Sequence, residues 1–153
     1  MQRWWTIAAG ALMLTGCLKP ATIETEDPWV RLPAVAGRPA SGYFTLHGGA
    51  TPTSLVAVSA DRAIRTEMHR SMQGSMQGSM TAGGVMTMQP VRDLPLPAHG
   101  TIRFAPGGLH LMIFGLDPAM KKGDSTILTF TFADGSRLER KAWAVGAGDP
   151  APD

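Results

Sequence analysis

The sequence predicts an all-β domain, on three observations. Its apolar residues fall in short runs of four to nine residues, many alternating with polar ones at period two. Gly, Pro and Asp punctuate those runs at close intervals, as turns require. No segment of useful length carries a helical period. The chain has 153 residues, enough for one domain with a sizeable core. Many short strands in one domain indicate a sandwich or a Greek-key barrel.

The N-terminus reads as an address. Arg3 supplies a positive charge, and Trp4 to Leu14 form an apolar run of eleven. A membrane-spanning helix needs about 20 apolar residues, whereas a run of this length suits a secretory signal core. It ends in Leu14-Thr15-Gly16-Cys17, which looks like a bacterial lipobox. Residues 1–16 are then a lipoprotein signal peptide, and Cys17 carries the lipid. Cys17 is the only cysteine, so no internal disulfide forms. Residues 17–27 are expected to be a polar tether. The mature protein is placed outside the cytoplasm, anchored to a bacterial membrane through its lipid.

The domain proper is expected over 28–145. Strands are predicted at Trp29–Leu32, Gly42–His47, Ser54–Ser59, Ala63–His69, Val85–Gln89, Thr101–Phe104, Leu109–Leu116, Ser125–Phe132 and Arg137–Val145. Asp134-Gly135 marks a hairpin between the last two. Residues 146–153, rich in Gly, Pro and Asp, are expected to form a flexible tail.

One segment departs from this pattern. Residues 71–80 read SMQGSMQGSM, a tandem four-residue repeat. Met68, Met72, Met76 and Met80 recur every four residues, as one face of a helix would. Gly74 and Gly78 argue against that, each costing a helix about 1 kcal/mol relative to alanine. The segment is expected to be a mobile, exposed methionine loop.

Composition excludes several functions. The formal net charge is only +2, and no basic stripe or aromatic ladder suits nucleic acid. No Gly-x-Ser-x-Gly elbow, His-Glu-x-x-His helix or phosphate loop is present. No paired carboxylates are arranged for acid–base chemistry, so no enzyme is predicted.

Instead, the chain is rich in soft donors, with ten methionines. His110 and Met112 are two apart in a predicted strand and share a face, leaving Leu109, Leu111 and Ile113 for the core. Met86 and Met88 are paired in the same way. His69 shares its face with Ala63, Arg65 and Glu67, while Met68 and Ile64 take the opposite, more apolar face. Thioether sulfur selects copper(I) and discriminates against calcium and magnesium. Zinc competes for the histidines but prefers thiolate, imidazole or carboxylate to thioether. His47 and His99 lie outside this pattern, and Met120 is expected to pack in a loop.

These residues resemble the motif of the periplasmic copper chaperones called PCu(A)C, H(M)-x10-M-x21-H-x-M. Met88 is followed by 21 residues and then His110-Leu111-Met112. From His69 to Met88 there are 18 intervening residues, an excess of eight that equals two Ser-Met-Gln-Gly units. Further stretches resemble the family: Asp27-Pro28-Trp29-Val30-Arg31, Ala40-Ser41-Gly42-Tyr43-Phe44 and Pro106-Gly107-Gly108-Leu109. The resemblance implies a monomeric cupredoxin-like Greek-key barrel. It implies a Cu(I) site of His69, Met88, His110 and Met112. Apart from the resemblance, Met68, Met72, Met76, Met80 and Met86 are candidate accessory donors, with Met86 equally suited to pack the end of the barrel. The imidazoles leave Cu(II) open as a second form of the cargo. The implied partner is a copper-receiving protein, such as a cytochrome c oxidase subunit or a thioredoxin-like copper assembly factor. Three other readings stand beside it. A copper-buffering lipoprotein without a client would also use the repeat. A blue-copper electron carrier would need a cysteine thiolate in the barrel. An adhesion or scaffold lipoprotein would bind no copper.

Overall fold

The structure is a computed structural model that describes residues 22–73 and 86–152. The signal segment, Cys17, Met76 and Met80 lie outside the described residues. Ten strands follow one another, and no helix occurs among the described residues. They are β1 (Glu24–Arg31), β2 (Ala40–His47), β3 (Thr53–Ala60), β4 (Arg65–Gln73) and β5 (Met86–Pro90). Then come β6 (Leu94–Leu96), β7 (Thr101–Phe104), β8 (Leu109–Phe114), β9 (Ser125–Phe132) and β10 (Arg137–Val145).

The strands form one sheet in the order β5-β4-β8-β7-β2-β1-β10-β9-β3-β6. Consecutive strands are often not neighbours, and β1 pairs with β10 in parallel, so the chain crosses over as a Greek key does. The sheet curls on itself. Its edge strands β5 and β6 are joined by only three residues, and Thr66 Oγ1 of β4 donates to the Val58 carbonyl of β3. This is the cupredoxin-like architecture that the motif implies.

Alternation drives the core. In β9 every second residue from Thr126 to Phe132 is buried. Phe44 stacks on Phe104 at 4.2 Å between centroids and meets Phe130 edge-on at 4.8 Å, two favoured aromatic geometries. From β8, Leu111 and Ile113 enter the core with no exposed surface. Thr126 is a polar exception, and its hydroxyl donates to Asp61 at 2.5 Å.

Several boundaries differ from the sequence expectations. β1 begins at Glu24 and pairs with β2 from Glu24↔His47 onward, so the last residues of the expected tether belong to the barrel. A bulge between Glu26 and Trp29 carries the ladder past Asp27 and Pro28, because proline has no N–H to give. The start of the repeat is strand as well: Ser71, Met72 and Gln73 continue β4 and pair with β5. Ile64 precedes β4 and is 85% exposed, so it does not share the core with Met68. β6 is an addition to the expected strands, since Leu94-Pro95-Leu96 is too short to show a period. The tail, expected to be flexible, begins in a tied turn. The Asp149 carboxylate accepts from Gly146 N–H at 2.7 Å and pairs with Lys122 at 2.9 Å, and the Asp149 carbonyl accepts from Arg31 at 3.1 Å.

Candidate metal centre

The candidate donors meet on the outer face of three adjacent strands, β8, β4 and β5. In the antiparallel β4–β8 ladder, His69 stands directly opposite His110, and Glu67 opposite Met112. Directly opposed residues share a face, as do residues two apart on one strand. His69, Glu67, His110 and Met112 therefore form two consecutive rungs. On the other side of β4, Ser71 pairs with Met88 and His69 with Pro90, which puts Met88 on the same face, diagonal to His69. The four donors expected from the motif are thus brought to one face.

Their surroundings differ. His110 is 6% exposed and the His69 side chain 12%. Met112 is half-buried, opposite Ser41 of β2 as well as Glu67. Tyr43, two residues on from Ser41, takes the same outer face and is buried against Trp29, with ring centroids 4.4 Å apart. Met88 is 55% exposed because β5 is an edge strand.

The hydrogen bonds of the two imidazoles assign their free atoms. His110 Nδ1 lies 3.1 Å from the Gly108 carbonyl. His69 Nε2 lies 3.0 Å from Glu67 Oε2. A carbonyl or carboxylate oxygen only accepts, so the proton sits on His110 Nδ1 and on His69 Nε2. In the neutral rings, the lone pair then falls on the other nitrogens, His110 Nε2 and His69 Nδ1. Both are buried and have no hydrogen-bond partner among the described residues. Such orphans call for an explanation, and ligation of an ion is one. The ring centroids are 6.0 Å apart, with the planes inclined at 41°.

The donor chemistry favours a soft ion. Among the described residues, no three His, Cys, Asp or Glu side chains group closely enough to hold a metal. The thioethers of Met112 and Met88 lie on the same face as the two imidazoles, and thioether sulfur suits a soft ion.

The accessory donors separate. Met68 alternates into the core, 6% exposed, on the face away from His69, so it cannot serve as an accessory donor without unpacking. Met72 is 44% exposed and pairs with Thr87, on the opposite face from Met88. Met86 opens β5 opposite Gln73. His47 is occupied elsewhere, 2.9 Å from Glu26 and 3.3 Å from Thr101. Met120 is buried, in line with its expected packing role. It lines a hollow of about 420 Å³ beyond the far end of β8, with Leu32, Pro33 and Leu116. None of the four donors lines that hollow.

Two supporting groups become visible only in the structure. Gly108 presents its carbonyl to both Ser71 N–H and His110 Nδ1–H. The turn before it uses Gly107 at φ +80, a conformation that glycine adopts without strain. Glu67 is the other. Its place on the face of His69 is legible in the sequence, and only the fold shows what it touches.

Comparisons with known proteins bear on the family and the fold. Residues 23–144 match the family described as "Putative lipoprotein LpqE-like". The chain is 29% identical over 144 residues to the putative lipoprotein Lxx21020 of Leifsonia xyli subsp. xyli, covering 86% of this chain and 81% of that protein. Among solved structures, it is similar to the copper-bound PCuAC domain from PmoF2, with a TM-score of 0.61 and 18% identity, covering 82% of this chain and 93% of that one. It is also similar to CuI-DR1885 from Deinococcus radiodurans, with a TM-score of 0.55 and 28% identity, covering 82% and 78%. The fold is shared with PCuAC domains, and the chain belongs to the LpqE-like family of putative lipoproteins.

Proposed function

We propose that this protein is an extracytoplasmic, lipid-anchored carrier that binds one Cu(I) ion and passes it to a partner. One observation carries the reading: two nearly buried imidazoles stand opposite each other, each with one nitrogen committed and the other bare. Met112 and Met88 supply thioethers on the same face. Two neutral imidazoles and two thioethers leave the ion its single positive charge, and soft sulfur favours Cu(I). Four protein donors leave no open position for a substrate, so the site suits carriage and not catalysis. The similarity to a copper-bound PCuAC domain and to CuI-DR1885 supports the choice of metal.

The receiver proposed is a copper centre of cytochrome c oxidase, or a thioredoxin-like assembly factor that serves it. The anchor proposed is Cys17, in keeping with the lipoprotein descriptions of the family and its relative. A second reading, copper buffering without a client, draws on the repeat and its exposed Met72. Titration of the purified protein with Cu(I) against a chromophoric chelator tests the proposal. One tight equivalent is expected, and it should move to an apo oxidase copper domain on mixing. No tight equivalent would sink the copper reading. Several weak equivalents with no transfer would favour buffering.

A further inference from the structure

We infer that Glu67 is a positioning residue for the metal site, holding the His69 ring so that Nδ1 is its donor atom. This rests on the copper-binding reading and adds a residue outside the four donors.

The outer face of β4 carries Arg65, Glu67 and His69 in alternation. Opposite them on β8 stand Phe114, Met112 and His110. The result is a ladder of three rungs. At its base, the Arg65 guanidinium lies 4.0 Å from the centroid of the Phe114 ring, within cation–π range. Arg65 also pairs with Glu67 Oε1. The second carboxylate oxygen, Oε2, accepts from His69 Nε2 at 3.0 Å. Glu67 is therefore held on one side and holds His69 on the other.

That bond selects a tautomer. Placing the proton on Nε2 leaves the lone pair on Nδ1, which is buried and unpartnered among the described residues. Without the carboxylate, the ring is free to take either tautomer and to turn, and binding must then order it. A carboxylate behind a ligating imidazole also raises its basicity and strengthens donation. His110 receives the same service from the Gly108 carbonyl, so both rings are oriented before an ion arrives.

Glu67 is poorly suited to be a donor itself. Both its oxygens are engaged, and carboxylate is a hard ligand that suits magnesium or calcium better than Cu(I). Nor does it resemble an ordinary surface ion pair, because the His69 side chain it holds is almost buried.

The test combines two readouts on wild type, Glu67→Ala and Glu67→Gln. Long-range ¹H–¹⁵N correlation on the metal-free protein reports the His69 tautomer, and competition with a chromophoric chelator reports Cu(I) affinity. Wild type should show the proton on Nε2. Glu67→Ala should mix the tautomers and weaken Cu(I) binding about 10–100-fold, with a thermal midpoint near that of wild type. Glu67→Gln keeps a carbonyl that accepts from Nε2–H, so it should restore the tautomer and most of the affinity. Unchanged tautomer and affinity in Glu67→Ala would overturn the inference. So would a Glu67→Gln protein as impaired as Glu67→Ala, which would mark the carboxylate as a ligand. If wild type binds no Cu(I), the copper reading fails, and the metal-free tautomers still decide whether Glu67 orients His69.

Discussion

The β4–β8 rung and the β4–β5 hairpin both carry candidate metal donors, yet their environments are opposite. In the rung, His69 and His110 are nearly buried, and their committed nitrogens are held by Glu67 and Gly108. In the hairpin, Met72 and Met88 are exposed on opposite faces of an edge. Donors locked by packing lose little freedom when an ion binds, whereas exposed thioethers must be ordered first. On the proposed copper reading, the rung would hold the ion and the hairpin would meet it first.

The largest expected effect comes from breaking the rung. His110→Gln removes a buried imidazole and its fixed donor nitrogen. Cu(I) affinity should fall by more than the roughly 10–100-fold typical of losing a supporting group, as read by chelator competition. Retained affinity would move the site off this rung.

The next effect separates the two regions directly. Met112→Leu and Met88→Leu each keep apolar bulk and remove one sulfur, and volume-conserving swaps of this kind usually cost under about 1.5 kcal/mol of stability. Met112, half-buried beside the rung, should matter more for equilibrium affinity. Met88, on the exposed edge, should matter more for the rate of transfer to a chelator in stopped-flow mixing. Equal effects of both variants on both measurements would erase the distinction between holding and meeting.

A smaller effect is expected from shortening the repeat. Deleting residues 71–78 joins Arg70 to Ser79-Met80, which repeats the Ser71-Met72 that β4 uses. The strand sequence is thus kept except at its last residue, where Thr81 replaces Gln73, and loop length changes closure entropy only logarithmically. One Cu(I) should still bind at similar affinity, with slower uptake or lower total capacity. Loss of the tight site would show that the repeat belongs to the rung.

The smallest effect lies away from the donors. Asp117 accepts from Arg62 at 2.6 Å and from Ala119 N–H at 2.9 Å. The Arg62 hydrogen bond, then the Ala119 N–H, holds its carboxyl below the usual carboxylate value. Its contribution to stability is present above that usual value, about 3.9, and is lost as pH falls through the lower folded value. Metal-free Asp117→Asn should melt slightly below wild type at pH 7, and the two curves should converge on acidification. A gap that widens toward low pH would contradict the assignment.

Much of the barrel was legible because alternation is a local property. The nine predicted strands all occur, since Val, Ile, Phe and Thr at period two can bury one face only as strands. What escaped had non-local causes. β1 reaches back to Glu24 through a bulge that only its pairing with β2 supports. β6 exists because Leu94 and Leu96 find the core beside β3. Asp149 ties down a tail that composition alone marks as loose.

The candidate site divides in the same way. Sequence alone determined that His110 shares a face with Met112, and His69 with Glu67, because successive side chains on a strand point to opposite sides. It also determined the soft character of the donor set. Only the tertiary structure decided that His69 stands opposite His110, that Met68 belongs to the core, and which ring nitrogens are left bare. Those outcomes depend on register between strands far apart in the chain, and register is set by the packing of the whole core.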